Sequence, residues 1–175
     1  GGISGFDKKN RPVILYEKHV FSRCSKRRYD ESYPFISSKK GYKLKKKGEQ
    51  VKAGELEKNY YSASSDGNYV RLAKAYVLDQ DAALKACSWG KFQVLGENYK
   101  LCGYLNVKDF VFDQVKSESG QLSAFVGFVK GKKLQGALKS KDWAKIAEGY
   151  NGKKYKKFKY DERIRNAYES IKSKK

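Results

Sequence analysis

A carboxylate closes the apolar run Ile14-Leu15-Tyr16-Glu17, and a histidine follows two residues later at His19. A carboxyl at the end of such a run is expected to be partly desolvated. Desolvation disfavours the ionised form and raises the pKa, which suits a general acid near neutral pH. The ordinary alternative is a glutamate salt-bridged to Lys18 or Arg23. A second segment, residues 86–96, reads Ala-Cys-Ser-Trp-Gly-Lys-Phe-Gln-Val-Leu-Gly. Its small residues let backbone and ring approach a ligand closely. Ser88, Trp89, Phe92 and Gln93 there offer two neutral hydrogen-bonding groups and two rings, the makings of a sugar-binding wall. Otherwise the segment is a helix-to-strand turn whose aromatics are core. A third, Tyr150-Asn151-Gly152, could line a groove through Tyr150 and Asn151, or could be no more than a helix stop at Gly152. Taken singly, none of these segments is specific. Asp30 is a further, weaker carboxylate candidate.

The chain that must position these residues has 175 of them, about one domain, with 39% hydrophobic and 14% aromatic residues. That composition argues against disorder. No run approaches the roughly 18 apolar residues of a membrane helix, so the chain reads as soluble. Net charge is +20. Residues 1–50 carry 14 Lys/Arg against 5 Asp/Glu, residues 130–175 carry 16 against 5, and the centre is balanced. Two basic ends suggest a polyanionic partner such as nucleic acid, anionic lipid or cell wall, unless they serve solubility alone. Cys24, Cys87 and Cys102 show no CxxC spacing, and the chain has a single histidine. A zinc site is therefore not expected, nor any other cofactor. The cysteines read as small buried residues of a protein folded under reducing conditions, with a Cys87–Cys102 bridge as the alternative.

Residues 12–16 are β-branched and apolar, a short buried strand, and 19–25 continue as a helical turn. Residues 37–54, rich in Lys and Gly, read as an exposed loop. Asp66 and Asn68 are predicted to cap a helix with Val70, Ala73, Tyr76 and Val77 on one face. Asp81 caps a short helix over 82–87. Further helices start at Asn106 (with Phe110, Val111 and Val115), at Ser119 (with Leu122, Phe125, Val126 and Val129), at Ser140 and Asp142 (with Trp143, Ile146, Ala147 and Tyr150), and at Asp161. The expected fold class is mainly α (α+β), with a small irregular or β-containing N-terminal lobe.

In combination and order, the segments resemble the N-acetylmuramidase domain of phage endolysins, in the lysozyme-like superfamily. That family carries Gly-Phe, then Arg-Pro-x-Ile-Leu-Phe-Glu-Arg-His-x-Phe-x-Arg. Here these stand as Gly5-Phe6 and Arg11-Pro12-Val13-Ile14-Leu15-Tyr16-Glu17-Lys18-His19-Val20-Phe21-Ser22-Arg23. Its Arg-Phe-Asp is matched by Arg28-Tyr29-Asp30. Its Ala-Ser-Trp-Gly-x-Phe-Gln-x-x-Gly is matched over 86–96 except at Cys87. Its Gln-Leu-x-Ala-Phe-Val is matched at 121–126, and its Asp-Trp…Tyr-Asn-Gly at Asp142-Trp143 and 150–152.

The resemblance implies a lysozyme-like fold and one muramidase catalytic domain over 1–175. It implies cleavage of the β-1,4 bond between N-acetylmuramic acid and N-acetylglucosamine in bacterial peptidoglycan. Its principal catalytic glutamate belongs to a Glu-Ser-x-Gly-x-Gly-Phe motif whose tail Gly1-Gly2-Ile3-Ser4-Gly5-Phe6 is similar to. That glutamate and its helix are expected upstream of Gly1. Glu17 is then the second carboxylate or the acid, Asp30 a weak second, and His19, Ser88, Trp89, Phe92, Gln93, Tyr150 and Asn151 are expected to bind substrate. A groove between the N-terminal lobe and the helical half should bring Glu17, Ser88, Gln93 and Tyr150 together. The expected protein is a monomer made in the bacterial host cytoplasm and acting on the wall or periplasm, its basic ends on anionic wall polymers, with no specific nucleic acid. A lytic transglycosylase and a non-catalytic wall-binding module are the competing readings. Nucleic-acid binding, suggested by charge and 14 tyrosines, lacks any recognised motif.

Overall fold

The computed structural model describes residues 4–173. The opening residues of the Gly1–Phe6 run therefore lie outside the described part. The chain divides into two compact units, Gly1–Gly127 and Phe128–Lys175.

The first unit is built on a small antiparallel sheet. Strand β1 (Ile14–Tyr16) pairs with β2 (Cys87–Trp89), and β2 with β3 (Val94–Leu95), in the order β1-β2-β3. The register sets Leu15 opposite Ser88 and Tyr16 opposite Cys87. Side chains alternate across a strand, so Ile14, Tyr16, Cys87 and Trp89 share the buried face. Leu15 and Ser88 take the other. The Glu17 N–H continues the ladder to the Ala86 carbonyl at 2.8 Å.

The helices along this part of the chain are α1 (Lys18–Cys24), α2 (Ala53–Asn59), α3 (Ser65–Leu78), α4 (Gln80–Lys85), α5 (Val107–Lys116) and α6 (Glu118–Gly131), with α3 packed on β1 and α4 on β2. Helix α1 starts one residue after Glu17 and buries Val20 and Phe21. Helix α5 is capped by Asn106, whose side chain accepts from the Asp109 N–H. Such a cap contributes about 1 kcal/mol. The cap of α4 is Asp79, two residues before the expected Asp81. That helix ends at Lys85 because Cys87 already belongs to β2.

Helix α3 forms over the expected stretch, but its cap is Ser64, whose side chain accepts from the Gly67 N–H, rather than Asp66 or Asn68, and it buries a different face. Val70, Tyr76 and Val77 are exposed, and the buried residues are Asn68, Arg71, Leu72 and Ala75. The reason is hydrogen bonding. β1 is an edge strand, and the Asn68 side-chain oxygen accepts from the Tyr16 N–H at 3.2 Å. The Arg71 guanidinium donates to the Glu57 and Tyr60 carbonyls at 2.9 and 2.8 Å. Buried backbone groups need partners, and here two polar side chains supply them, which an apolar period does not reveal.

Helix α6 likewise exposes Leu122 and Val126, and buries Gln121, Ala124, Phe128 and Val129. Gln121 closes the loop after β2. Its side-chain oxygen accepts from the Lys91 N–H at 2.8 Å, and its amide donates to the Gln114 carbonyl at 3.0 Å.

The second unit contains α7 (Gln135–Ser140), α8 (Trp143–Asn151) and α9 (Tyr160–Lys172). Asp142 caps α8 through the Lys145 N–H, and Gly152 ends it with a positive φ of 79°. Trp143 packs on Tyr168 of α9 with ring centroids 5.2 Å apart.

The cysteines are all free. Cys87 and Cys102 are buried without bridging, while Cys24 is half-buried beside Glu97 rather than fully enclosed. Among the described residues no helix is long and apolar enough to cross a membrane. Nor is any group of three or more His, Cys, Asp or Glu placed to hold a metal.

Candidate active site

Glu17 occupies the joint between β1 and α1, in extended backbone with φ −118° and ψ 95°. Alternation along β1 sends its side chain to the face of Leu15 and Ser88. Ser88, opposite Leu15, is therefore a diagonal neighbour of Glu17 across the β1–β2 pair. The Glu17 side chain is only 15% exposed. Burial pushes its carboxyl up to about 7, against the opposing pull of a hydroxyl that donates to it. That hydroxyl belongs to Tyr61, whose oxygen lies 3.0 and 2.8 Å from the two carboxylate oxygens.

Tyr61 has no counterpart among the sequence candidates. It lies 44 residues from Glu17, outside every motif, and only the fold brings it in. Its N–H donates to the Lys43 carbonyl at 3.0 Å. Its ring packs on Tyr42 with centroids 5.5 Å apart. Tyr42 is held in turn by the Arg71 guanidinium 4.1 Å above its ring, by the Lys18 ammonium at 4.8 Å, and by its own hydroxyl on the Phe35 carbonyl. Lys18 is itself buried, with its ammonium on the Lys58 carbonyl at 2.7 Å. A salt bridge to Glu17 is not among its contacts. The ordinary alternative for Glu17, pairing with Lys18 or Arg23, is therefore set aside, since Arg23 pairs with Glu97.

His19 stands beside Glu17, with Nδ1 3.4 Å from Oε2. The contact makes no hydrogen bond, and Nδ1 is buried without a partner. Burial, and then the charge of Arg23, push the imidazole pKa down. The two shifts oppose an ion pair: burial favours a protonated Glu17 and a neutral His19.

Each polar neighbour of Glu17 also lines a cleft. Tyr61 borders one of about 490 Å³, with Leu56, Val70 and Arg71 in its wall. His19 borders another of about 420 Å³. The exposed face of α3 thus finds a use, since Val70 lines the first cleft.

The remaining candidates divide. Ser88 is half-exposed in β2. Gln93 holds a left-handed φ of 49°, and its amide donates to the Val13 and Gly90 carbonyls at 3.1 and 2.9 Å. It locks the β2–β3 turn. Phe92 stacks on Phe125 with centroids 4.6 Å apart and planes at 14°. Trp89 requires correction: it is 2% exposed, and its indole N–H donates to the Leu84 carbonyl at 3.0 Å. It is core and presents no face to a ligand. Asp30 also departs from expectation, because its two oxygens accept from the buried Ser22 and Ser37 hydroxyls at 3.0 and 2.6 Å. It ties α1 to the loop that follows. Tyr150 and Asn151 end α8 in the second unit, where Tyr150 meets Phe128 edge-on at 5.4 Å.

The family model for N-acetylmuramidase matches residues 1–172. No curated protein matches the chain. Among solved structures, the crystal structure of the Burkholderia AP3 phage endolysin is similar, with 36% sequence identity and a TM-score of 0.77. The match covers 97% of this chain and 60% of that endolysin, so the chain spans less than two thirds of its solved relative. The mainly helical fold with its small sheet is that of the lysozyme-like endolysins. By this match over nearly its whole length, the chain belongs to the N-acetylmuramidase family.

Proposed function

We propose that the chain is a peptidoglycan hydrolase that cleaves the β-1,4 bond between N-acetylmuramic acid and N-acetylglucosamine, with Glu17 as a working carboxyl. The observation that carries this reading is the Glu17 environment. A carboxyl buried at a strand–helix joint, raised to about 7 and bordered by cleft-lining Tyr61 and His19, is suited to proton transfer near neutral pH. Protonated, it can give its proton to the leaving glycosidic oxygen as that bond breaks, while water adds hydroxide to the anomeric carbon and its remaining proton restores the Glu17 carboxyl. Ionised, it can stabilise positive charge on the sugar. The family match and the endolysin likeness support this substrate class. Ser88 and Gln93, in the same unit as Glu17, are proposed to meet the saccharide. The enzyme is proposed to act on the bacterial wall, as a monomer, after synthesis in a host cell.

The test is mass spectrometry of the products from purified peptidoglycan. New reducing ends are expected. Anhydro-muramic ends would assign lytic transglycosylation instead, and intact strands would leave a wall-binding module.

A further inference from the structure

The cleft bordered by His19 is cationic. Its walls are His19, Ser22, Arg23, Lys26, Arg27 and Lys39, with no carboxylate among them. Arg23 is already paired, its guanidinium 2.6 Å from Glu97. Lys26, Arg27 and Lys39 form no ion pair among the described residues. Cations gathered around one concavity repel each other and focus a positive potential into it.

The backbone that presents two of them is itself unfavourable. Lys26 and Arg27 are consecutive left-handed residues, with φ 54° and 64°. They close helix α1: the Lys26 N–H donates to the Arg23 carbonyl at 3.1 Å, and the Arg27 N–H to the Ser22 carbonyl at 2.7 Å. This is the Schellman arrangement, in which the left-handed position is ordinarily glycine. A lysine there, followed by an arginine in the same conformation, sacrifices stability that glycine would recover. Strain of this kind, where it persists, points to a use for the side chains.

We infer that this cleft is a carboxylate-binding subsite, which holds an acidic substituent of the same glycan strand whose bond meets Glu17. The inference rests on the hydrolase reading above. The link is His19, which stands 3.4 Å from the Glu17 carboxyl and also forms the cleft wall. An anion seated there shares His19 as a neighbour with the reacting carboxyl, and muramic acid supplies such anions. They are its own lactyl carboxylate when free, and the stem-peptide carboxylates when the lactyl group is acylated.

The chain's single histidine makes the test direct, because its ring signals report from the cleft wall. The protein is titrated by NMR with N-acetylmuramyl-L-alanyl-D-glutamate, with its diamide, and with free N-acetylmuramic acid. The dipeptide should shift the His19 signals more tightly than the diamide. Lys26→Gly and Arg27→Gly should each weaken dipeptide binding by about fivefold, the worth of one partly exposed ion pair. Diamide binding should be equal in all variants. Both substitutions relax a left-handed residue, so Tm should hold or rise, and lost affinity cannot then be unfolding. Comparison with free muramic acid locates the carboxylate on the peptide or on the lactyl group. No preference over the diamide by either the dipeptide or free muramic acid, or equal binding of the preferred acid by wild type and variants, overturns the subsite. The dipeptide has no glycosidic bond between amino sugars. A protein that binds it as described but cuts no strand therefore sinks the hydrolase reading alone, and one that cuts strands without this preference sinks the subsite alone.

Discussion

The Tyr61 hydroxyl lies within 3.0 Å of both carboxylate oxygens of Glu17. It opposes the effect of burial, because a donor to the ionised form lowers the pKa. Tyr61→Phe should therefore let the Glu17 pKa climb further. If protonated Glu17 is the active form, the alkaline limb of the pH–rate profile moves up by roughly one pH unit, the worth of one such hydrogen bond. A limb that stays in place or moves down removes Tyr61 from control of this carboxyl.

Glu17→Gln separates chemistry from folding. Loss of a general acid–base group should lower turnover at least about a hundredfold. Stability should respond in the other direction. The folded-state pKa of Glu17 is raised from 4.5 to about 7, so the folded protein binds the extra proton between those values. Stability is then full below about pH 4.5 and is lost as pH rises towards and past 7. The glutamine variant escapes this loss. In urea unfolding it should match wild type at pH 4.5 and exceed it at pH 8, by up to about 3 kcal/mol. A variant less stable at pH 8 would show that the ionised carboxylate is better compensated than its burial implies.

The loop after β2 depends on the fit between Gly90 and Gln121. Gly90 has φ +67°, and a Cβ there would stand 2.5 Å from the Gln121 side-chain carbon Cδ. Gln121 is fixed on both sides by hydrogen bonds, so it cannot simply withdraw. Gly90→Ala should cost about 2–3 kcal/mol, from the left-handed backbone and the overpacking together. Thermal unfolding measures it, and a change under about 0.5 kcal/mol would mean that the loop moves freely.

The net charge of +20 should act on encounter more than on chemistry. Activity on intact walls is expected to fall as salt rises, since attraction is screened beyond about 8 Å at physiological ionic strength. Activity on a short soluble saccharide should fall much less. Equal salt sensitivity of the two substrates would exclude steering by the basic surfaces.

Much of this was legible in the chain itself. The β-branched run ending at Tyr16 specified a buried strand, and Asn106 and Asp142 announced their helices because a capping side chain acts on backbone two or three residues away. Glu17 stood out because an apolar run dictates the burial of whatever closes it. What local pattern could not decide was which polar groups the fold would enclose. Asn68 and Arg71 turn α3 away from its apolar face because an edge strand and a loop needed donors and acceptors. Trp89 looked like a ligand wall and became core because β2 pairs in a register that turns it inward. Tyr61 reached Glu17 across 44 residues, held by a backbone hydrogen bond to Lys43 and a tilted ring contact with Tyr42 that have no signature in sequence. Local propensity and hydrophobic period act over a few residues and can be read directly. The partner of a buried polar group is chosen by long-range packing, and only the tertiary structure makes that choice.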